Sequence, residues 1–257
     1  MILEYKGINI FYNVVGEGKA IVLLHGFLED HSMWNDAVKM LSKNYSVITI
    51  DLLGHGKTDC IGYVHTMPQM ADAVKAVLDY LKVAKYTFVG HSMGGYVALN
   101  LAKRFTETTE GLCLLNSTYE ADDEERKLLR TRANKMIRTN FKNMVRMSLA
   151  NLFSTESKTM YKAEYEAALQ IALKTSLQGY MAGQEGMKLR EDLSSFYAEA
   201  SFKKIILLGQ KDTVLNSKKI VQFAEKHNIK TRVFSQGHMS YIENKEQYLY
   251  EIMHFIE

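Results

Sequence analysis

The chain has 257 residues, of which 47% are hydrophobic and 24% charged, and its formal net charge is +3. That is enough chain for one large α/β domain or two small ones around a closed core, and too small a charge to argue for nucleic acid or an anionic membrane surface as a partner. The two cysteines, Cys60 and Cys113, lie outside any C-x-x-C spacing and suggest neither a disulfide framework nor a metal site. No apolar run approaches the ~18 residues of a membrane span. Met1–Ile10 has no basic region followed by a long apolar stretch, so no signal peptide is expected and the expected location is cytoplasmic.

In chain order, residues 2–15 alternate around Lys6-Gly7 and read as a β-hairpin. Ala20–Leu24 is a continuous apolar run, the pattern of a strand buried on both faces. His25-Gly26-Phe27 follows it directly, and 31–42 reads as a helix with Trp34, Val38 and Leu41 on one side. Val47–Ile50 is the next strand, and it runs into the glycine-punctuated turn Asp51–Gly56. Thr66-Met67-Pro68-Gln69 fits a capping box opening a helix through Met70, Val74, Val77, Leu78 and Leu81. Strand 86–90 enters Gly90-His91-Ser92-Met93-Gly94, and an apolar helix over 93–105 leaves it. Gly-x-Ser-x-Gly between strand and helix is the setting of a nucleophile elbow.

After a strand at 111–115 the pattern changes. Residues 120–195 contain no strand-like run. A helix from Glu120 starts acidic and turns basic at Arg126, Lys127, Arg130 and Arg132, which suits a helix dipole better than a nucleic-acid surface. Leu129, Ala133, Met136, Ile137 and Phe141 give it an apolar stripe, and further helices are expected near 141–153, 157–175 and 176–189. The segment 120–195 reads as a helical cap inserted into a core formed by 1–119 and 196–257. The βα rhythm then returns with a strand at 204–208, a helix at 217–227, a strand at 230–234 and a helix at 241–256 with Asn244 as a candidate N-cap. Such alternation predicts an α/β fold with a mostly parallel central sheet and helices on both faces.

Ligands of such sheets bind beyond the carboxyl ends of the strands. There the strands deliver Ser92, then Gly209-Gln210-Lys211-Asp212, then Gly237-His238, in the order Ser…Asp…His. A serine hydroxyl needs a base, which His238 can be near neutral pH. Asp212 would fix the imidazole tautomer. The backbone N–H groups of Phe27 and Met93 are the candidate oxyanion donors, each worth roughly 3–4 kcal/mol.

Together Leu24–Phe27, Asp51–Gly56, Gly90–Gly95, Gly209–Asp212 and Gly237-His238 span nearly the whole chain. In this combination and order the chain resembles an α/β-hydrolase of the serine esterase, lactonase and C–C hydrolase type. The resemblance implies a helical cap over the site, a small-molecule ester-like substrate, and no cofactor or metal. It leaves two alternatives: C–C bond cleavage or lyase chemistry on the same scaffold, and a small-molecule receptor with a slow triad. Serine at 92 speaks against epoxide hydrolases and haloalkane dehalogenases, whose elbow carries an aspartate. Relatives often carry prolines in these loops, whereas Pro68 is the only proline here.

His25, His55 and His91 compete with His238 but read as loop-bracing groups, as does Asp51. Trp34, Met136, Phe141 and Met239 are candidates to line the substrate pocket, and the side chain of Met93 is placed to touch substrate. Arg126, Arg130, Arg132, Arg138 and Arg146 are the cap cations that could face a carboxylated substrate.

Overall fold

A computed structural model describes residues 1–257. Eight strands form one sheet in the order β1-β2-β4-β3-β5-β6-β7-β8. They are β1 (Ile2–Tyr5), β2 (Ile8–Val15), β3 (Ala20–Leu24), β4 (Ser46–Ile50), β5 (Tyr86–His91), β6 (Thr109–Leu115), β7 (Lys203–Gly209) and β8 (Lys230–Phe234). The hairpin β1–β2 is antiparallel and joins β4 antiparallel, and every pair from β4 to β8 is parallel. Lys6 and Gly7 both have positive φ, 50° and 77°, as a tight hairpin turn demands.

The central strands are apolar on both faces because both are covered. Val22 and Leu24 of β3 point to one side, where α2 (Met67–Tyr80), α3 (Met93–Arg104) and α10 (Ser217–Lys226) pack. Ile21 and Leu23 point to the other, where α1 (Asn35–Leu41) and α12 (Lys245–Ile256) pack. The opening of α2 is the capping box expected of it. The Gln69 N–H donates to Thr66 Oγ1 at 3.3 Å, and the Thr66 N–H to Gln69 Oε1 at 3.0 Å. Its Val74, Val77 and Leu78 are fully buried, and each contributes about 1.5–3 kcal/mol.

Between β6 and β7 lie six helices and no strand: α4 (Glu124–Met136), α5 (Phe141–Ala150), α6 (Thr155–Met160), α7 (Lys162–Ala172), α8 (Leu177–Lys188) and α9 (Ser194–Glu199). Asp123, not Glu120, opens α4 and accepts the N–H of Arg126 at 2.8 Å. The single helix expected over 157–175 is two, because Tyr161 leaves helical geometry and donates its hydroxyl to the Glu243 carbonyl at 2.9 Å. The last helix is likewise broken at Asn244, between α11 (Ser240–Glu243) and α12. Asn244 holds the expected N-cap position of α12, but its amide donates to Gln247 Oε1 at 3.1 Å and its side chain accepts no backbone N–H of the helix.

The parallel register sets the carboxyl ends level. Leu24 lies opposite Gly90, Gly90 opposite Leu114, and Leu114 opposite Ile206. The loops beginning at His25, Ser92, Asn116 and Gln210 therefore leave one edge of the sheet. No helix is long and apolar enough to cross a membrane.

Candidate active site

Ser92 stands on that edge with φ 47° and ψ −115°, a conformation a serine adopts at a cost of about 1–3 kcal/mol. The turn is held from two sides: the Ser92 N–H donates to the Leu115 carbonyl at 3.0 Å, and Ser117 Oγ donates to the Ser92 carbonyl at 2.7 Å. Gly90 lets strand and helix approach, since a Cβ there would lie 2.6 Å from the Gly95 Cα.

The three residues from distant parts of the chain meet. His238 Nε2 lies 3.0 Å from Ser92 Oγ, and His238 Nδ1 lies 2.8 Å from Asp212 Oδ2. The side chains of His238 and Asp212 are buried. Asp212 Oδ1 accepts the N–H groups of Val214 at 2.7 Å and Leu215 at 3.0 Å. Burial pushes the Asp212 carboxyl up, but His238 and these donors outweigh it and hold it below the usual carboxylate range. A carboxylate so held makes Nδ1 the protonated nitrogen, leaving Nε2 to accept from the serine.

Several supporting residues were not singled out from the sequence. Asn116, with φ 43°, donates to Asp212 Oδ2 at 3.1 Å and to the Gly237 carbonyl at 3.2 Å. Glu243 accepts the Met239 N–H at 3.0 Å and so steadies the loop around His238. Glu29 accepts the Gly26 N–H at 2.6 Å and faces His91 Nδ1 at 2.8 Å. The available signals were a polar pair, Asn116-Ser117, at a strand's carboxyl end, and an acid, Glu29, in the loop that follows an equally apolar strand.

The rival histidines brace loops. His25 Nε2 accepts the Leu52 N–H at 2.9 Å, and its Nδ1 donates to the Gly26 carbonyl at 2.7 Å. His55 is buried against the Phe27 ring, and burial above all lowers its pKa to about 3, so it is neutral. Asp51 binds the N–H groups of His31 and Lys57 at 2.7 and 2.8 Å. The Phe27 N–H has no backbone acceptor. The Met93 N–H is the first of α3, where helix geometry offers it no partner.

A cavity of about 740 Å³ opens over Ser92 and His238, with Phe27, Met136, Met144, Met147, Tyr180 and Met187 among its walls. Of the four side chains expected to line it, only Met136 does. Trp34 is fully buried on the opposite side of the sheet, against Ile21, Leu23 and Val47. Met239 is fully buried among Leu28, Ile137 and Tyr180, and Phe141 packs against the same cluster. The Met93 side chain is likewise turned into the core. The stripe expected on α4 is not a packed face throughout: Leu129 and Met136 remain 54% and 53% exposed and border the cavity.

Cations line the cavity as well. Arg130 is neutralised by Asp122 and donates to Gln184 Oε1 at 2.8 Å. Arg126 donates to the Val214 carbonyl at 2.7 Å, and neither it nor Arg132 has a carboxylate partner. Arg138 and Arg146 do not reach the cavity. No cluster of three or more His, Cys, Asp or Glu side chains is arranged to hold a metal ion.

A mostly parallel sheet with a serine, a histidine and an acid joined at its carboxyl edge defines the class. The chain belongs to the alpha/beta hydrolase fold family, whose model matches residues 19–245. It is similar to 3-oxoadipate enol-lactonase 1 of Acinetobacter baylyi, at 26% identity over 98% of this chain and 94% of that protein. A thermophilic esterase of Thermogutta terrifontis, solved with malate bound, shares 26% identity and superposes with a TM-score of 0.91 over 99% of this chain and 96% of that one. Uncharacterized mycobacterial proteins match at 33% identity, but over only 106 residues, 41% of this chain and 31% of theirs.

Proposed function

We propose that the protein hydrolyses a carboxylic ester, or a related lactone or thioester, through an acyl-enzyme on Ser92. The observation that carries this reading is the unbroken line from Ser92 Oγ through His238 to Asp212, at 3.0 and 2.8 Å, on the wall of a cavity of about 740 Å³. In it, Ser92 Oγ attacks the carbonyl carbon while His238 Nε2 takes the hydroxyl proton. Asp212 stabilises the imidazolium that forms. The oxyanion is held by the N–H groups of Phe27 and Met93. His238 then gives its proton to the leaving alkoxide. A water, deprotonated by the same nitrogen, releases the acid and restores Ser92.

In this reading the helices of 120–195 are a cap that admits the substrate, with Met136, Met144 and Met147 as an adaptable apolar roof. The enzyme works in the cytoplasm, where Cys60 and Cys113 stay as the free thiols they are. Ser92→Ala abolishes hydrolysis of p-nitrophenyl butyrate while circular dichroism and thermal midpoint stay those of a folded protein. Undiminished turnover overturns the proposal.

A second reading is favoured by the unpaired cations. A guanidinium has five donors, and Arg126 uses one of them on Val214. It is therefore free to hold an anionic group on the substrate, which also suits C–C bond hydrolysis or lyase chemistry on a carboxylated compound. Arg126→Gln raises KM for a carboxylated ester about 10-fold or more, the worth of a charge-assisted hydrogen bond, and leaves a neutral ester unchanged. Equal effects on both esters refute it.

A further inference from the structure

The imidazole of His91, the residue before the nucleophile, is buried between two acceptors. Its Nδ1 lies 2.8 Å from Glu29 Oε2, and its Nε2 lies 3.1 Å from the His238 carbonyl. A neutral imidazole has one N–H and donates once. With Glu29 ionised, as its surroundings favour, the second contact would then set a ring lone pair against an oxygen lone pair. Two acceptors at these distances call for two N–H groups, which makes the ring an imidazolium with Glu29 as its counter-ion.

The surroundings support the charge-separated form. Glu29 Oε2 also accepts the Gly26 N–H at 2.6 Å, which favours a carboxylate over a carboxylic acid. Gly26 makes room for the pair, because a Cβ there would lie 2.6 Å from Glu29 Oε2 and 2.8 Å from His91 Nδ1. Burial opposes charge on both partners, yet each outweighs that penalty for the other: His91 is held above its ordinary value and Glu29 below its own. The remaining groups that face them are the His238 ring, 5.3 Å from that of His91, Tyr241, whose ring is edge-on to His91 at 5.6 Å and whose hydroxyl is turned to Glu29, and Asp212 and His25 further off.

The connectivity gives the pair a task. Glu29 grips Gly26, whose neighbour Phe27 supplies the candidate oxyanion donor. His91 adjoins Ser92 and grips the backbone of His238. We propose that the buried Glu29–His91 ion pair is a positioning device, tying the oxyanion loop after β3, the elbow after β5 and the histidine loop after β8 at one fixed spacing. The inference rests on the reading of Ser92 as nucleophile and His238 as its base. Loss of the His91 proton leaves one acceptor without its donor and frees the loops. The chemical step therefore fails as pH rises through the titration of His91, while binding in the cavity is spared.

Glu29→Gln tests it, keeping shape and removing the counter-charge. On p-nitrophenyl butyrate, the alkaline limb of kcat moves to lower pH in the variant, and kcat on that limb falls about 10- to 100-fold, the effect of misplacing reacting groups by about an ångström. KM stays within about twofold, and Glu29→Asp restores part of the loss. In wild-type protein labelled with ¹⁵N-histidine, NMR shows one ring doubly protonated at pH 8, and that ring loses its proton in Glu29→Gln. An unshifted kcat profile in a folded variant overturns the inference, and so does a wild-type spectrum with every ring singly protonated at pH 8. The NMR result stands even if the variant fails to fold. A wild type inactive on the ester, and indistinguishable from Ser92→Ala, overturns the hydrolase reading and the inference together.

Discussion

Asp212→Asn alters one atom and leaves no satisfactory arrangement of the site. Asp212 Oδ1 faces the N–H groups of Val214 and Leu215 at 2.7 and 3.0 Å, and Oδ2 faces His238 Nδ1 and Asn116 Nδ2 at 2.8 and 3.1 Å. All four partners are donors. A carboxamide has one acceptor oxygen, so its NH₂ must face two of them. Keeping both backbone bonds turns the NH₂ toward His238, which can accept it only by carrying its own proton on Nε2. That nitrogen then donates to Ser92 instead of accepting, and the nucleophile loses its base. A wrong tautomer of this kind lowers kcat about 10⁴-fold, or about 5.4 kcal/mol of transition-state stabilisation. Steady-state hydrolysis of p-nitrophenyl butyrate at pH 7 reads this directly, with KM expected within a few-fold of wild type. A folded Asp212→Asn protein that keeps more than a tenth of wild-type kcat refutes the reasoning.

Two further predictions concern the fold beneath the site. Gly90→Ala drives a Cβ to 2.6 Å from the backbone of Gly94 and Gly95, where no flexible side chain can yield. Overpacking of this kind costs about 1–3 kcal/mol, so the urea midpoint falls and activity with it; a wild-type midpoint and kcat together refute this. The pH dependence of stability follows from the buried charges. Asp212, Asp51 and Glu29 are held below their ordinary values, so their contribution is present above the ordinary carboxylate range of about pH 4–4.5 and is lost as pH falls through the depressed values. His91 is held above its own, so its contribution is present below about pH 6.5 and is lost as pH rises through the raised value. Urea midpoints against pH should decline on both sides, and Glu29→Gln should flatten both slopes. Slopes identical to wild type contradict the assignment.

The sheet was legible because its central strands are apolar on both faces and several strands run into glycine-bearing turns. A parallel sheet brings such loop starts to one edge whatever lies between them in sequence. That is why the sequence alone points to Ser92, Asp212 and His238 as neighbours. The cavity wall was not legible in the same way. Periodicity tells that Trp34 or Phe141 belongs to an apolar face, but not which neighbour that face meets. Trp34 met the underside of the sheet, and Phe141 met its own helical neighbours. Met239 lies next to His238 in sequence, yet the turn after the histidine sends its side chain into the core. The break at Tyr161 escaped for a related reason, since that residue interrupts no helical pattern and the break is held by a distant carbonyl, whereas Asn244, expected as a cap, does stand at the start of α12. Glu29 and Asn116 were missed because their partners lie 62 and 96 residues away.

The measurement closest to the central claim is the site of covalent capture. Incubation with a fluorophosphonate ester, followed by digestion and mass spectrometry, is predicted to place one phosphonyl group on Ser92, in step with complete loss of esterase activity, and none on the Ser92→Ala protein. Stoichiometric labelling at another residue, or full activity with Ser92 labelled, would contradict the account.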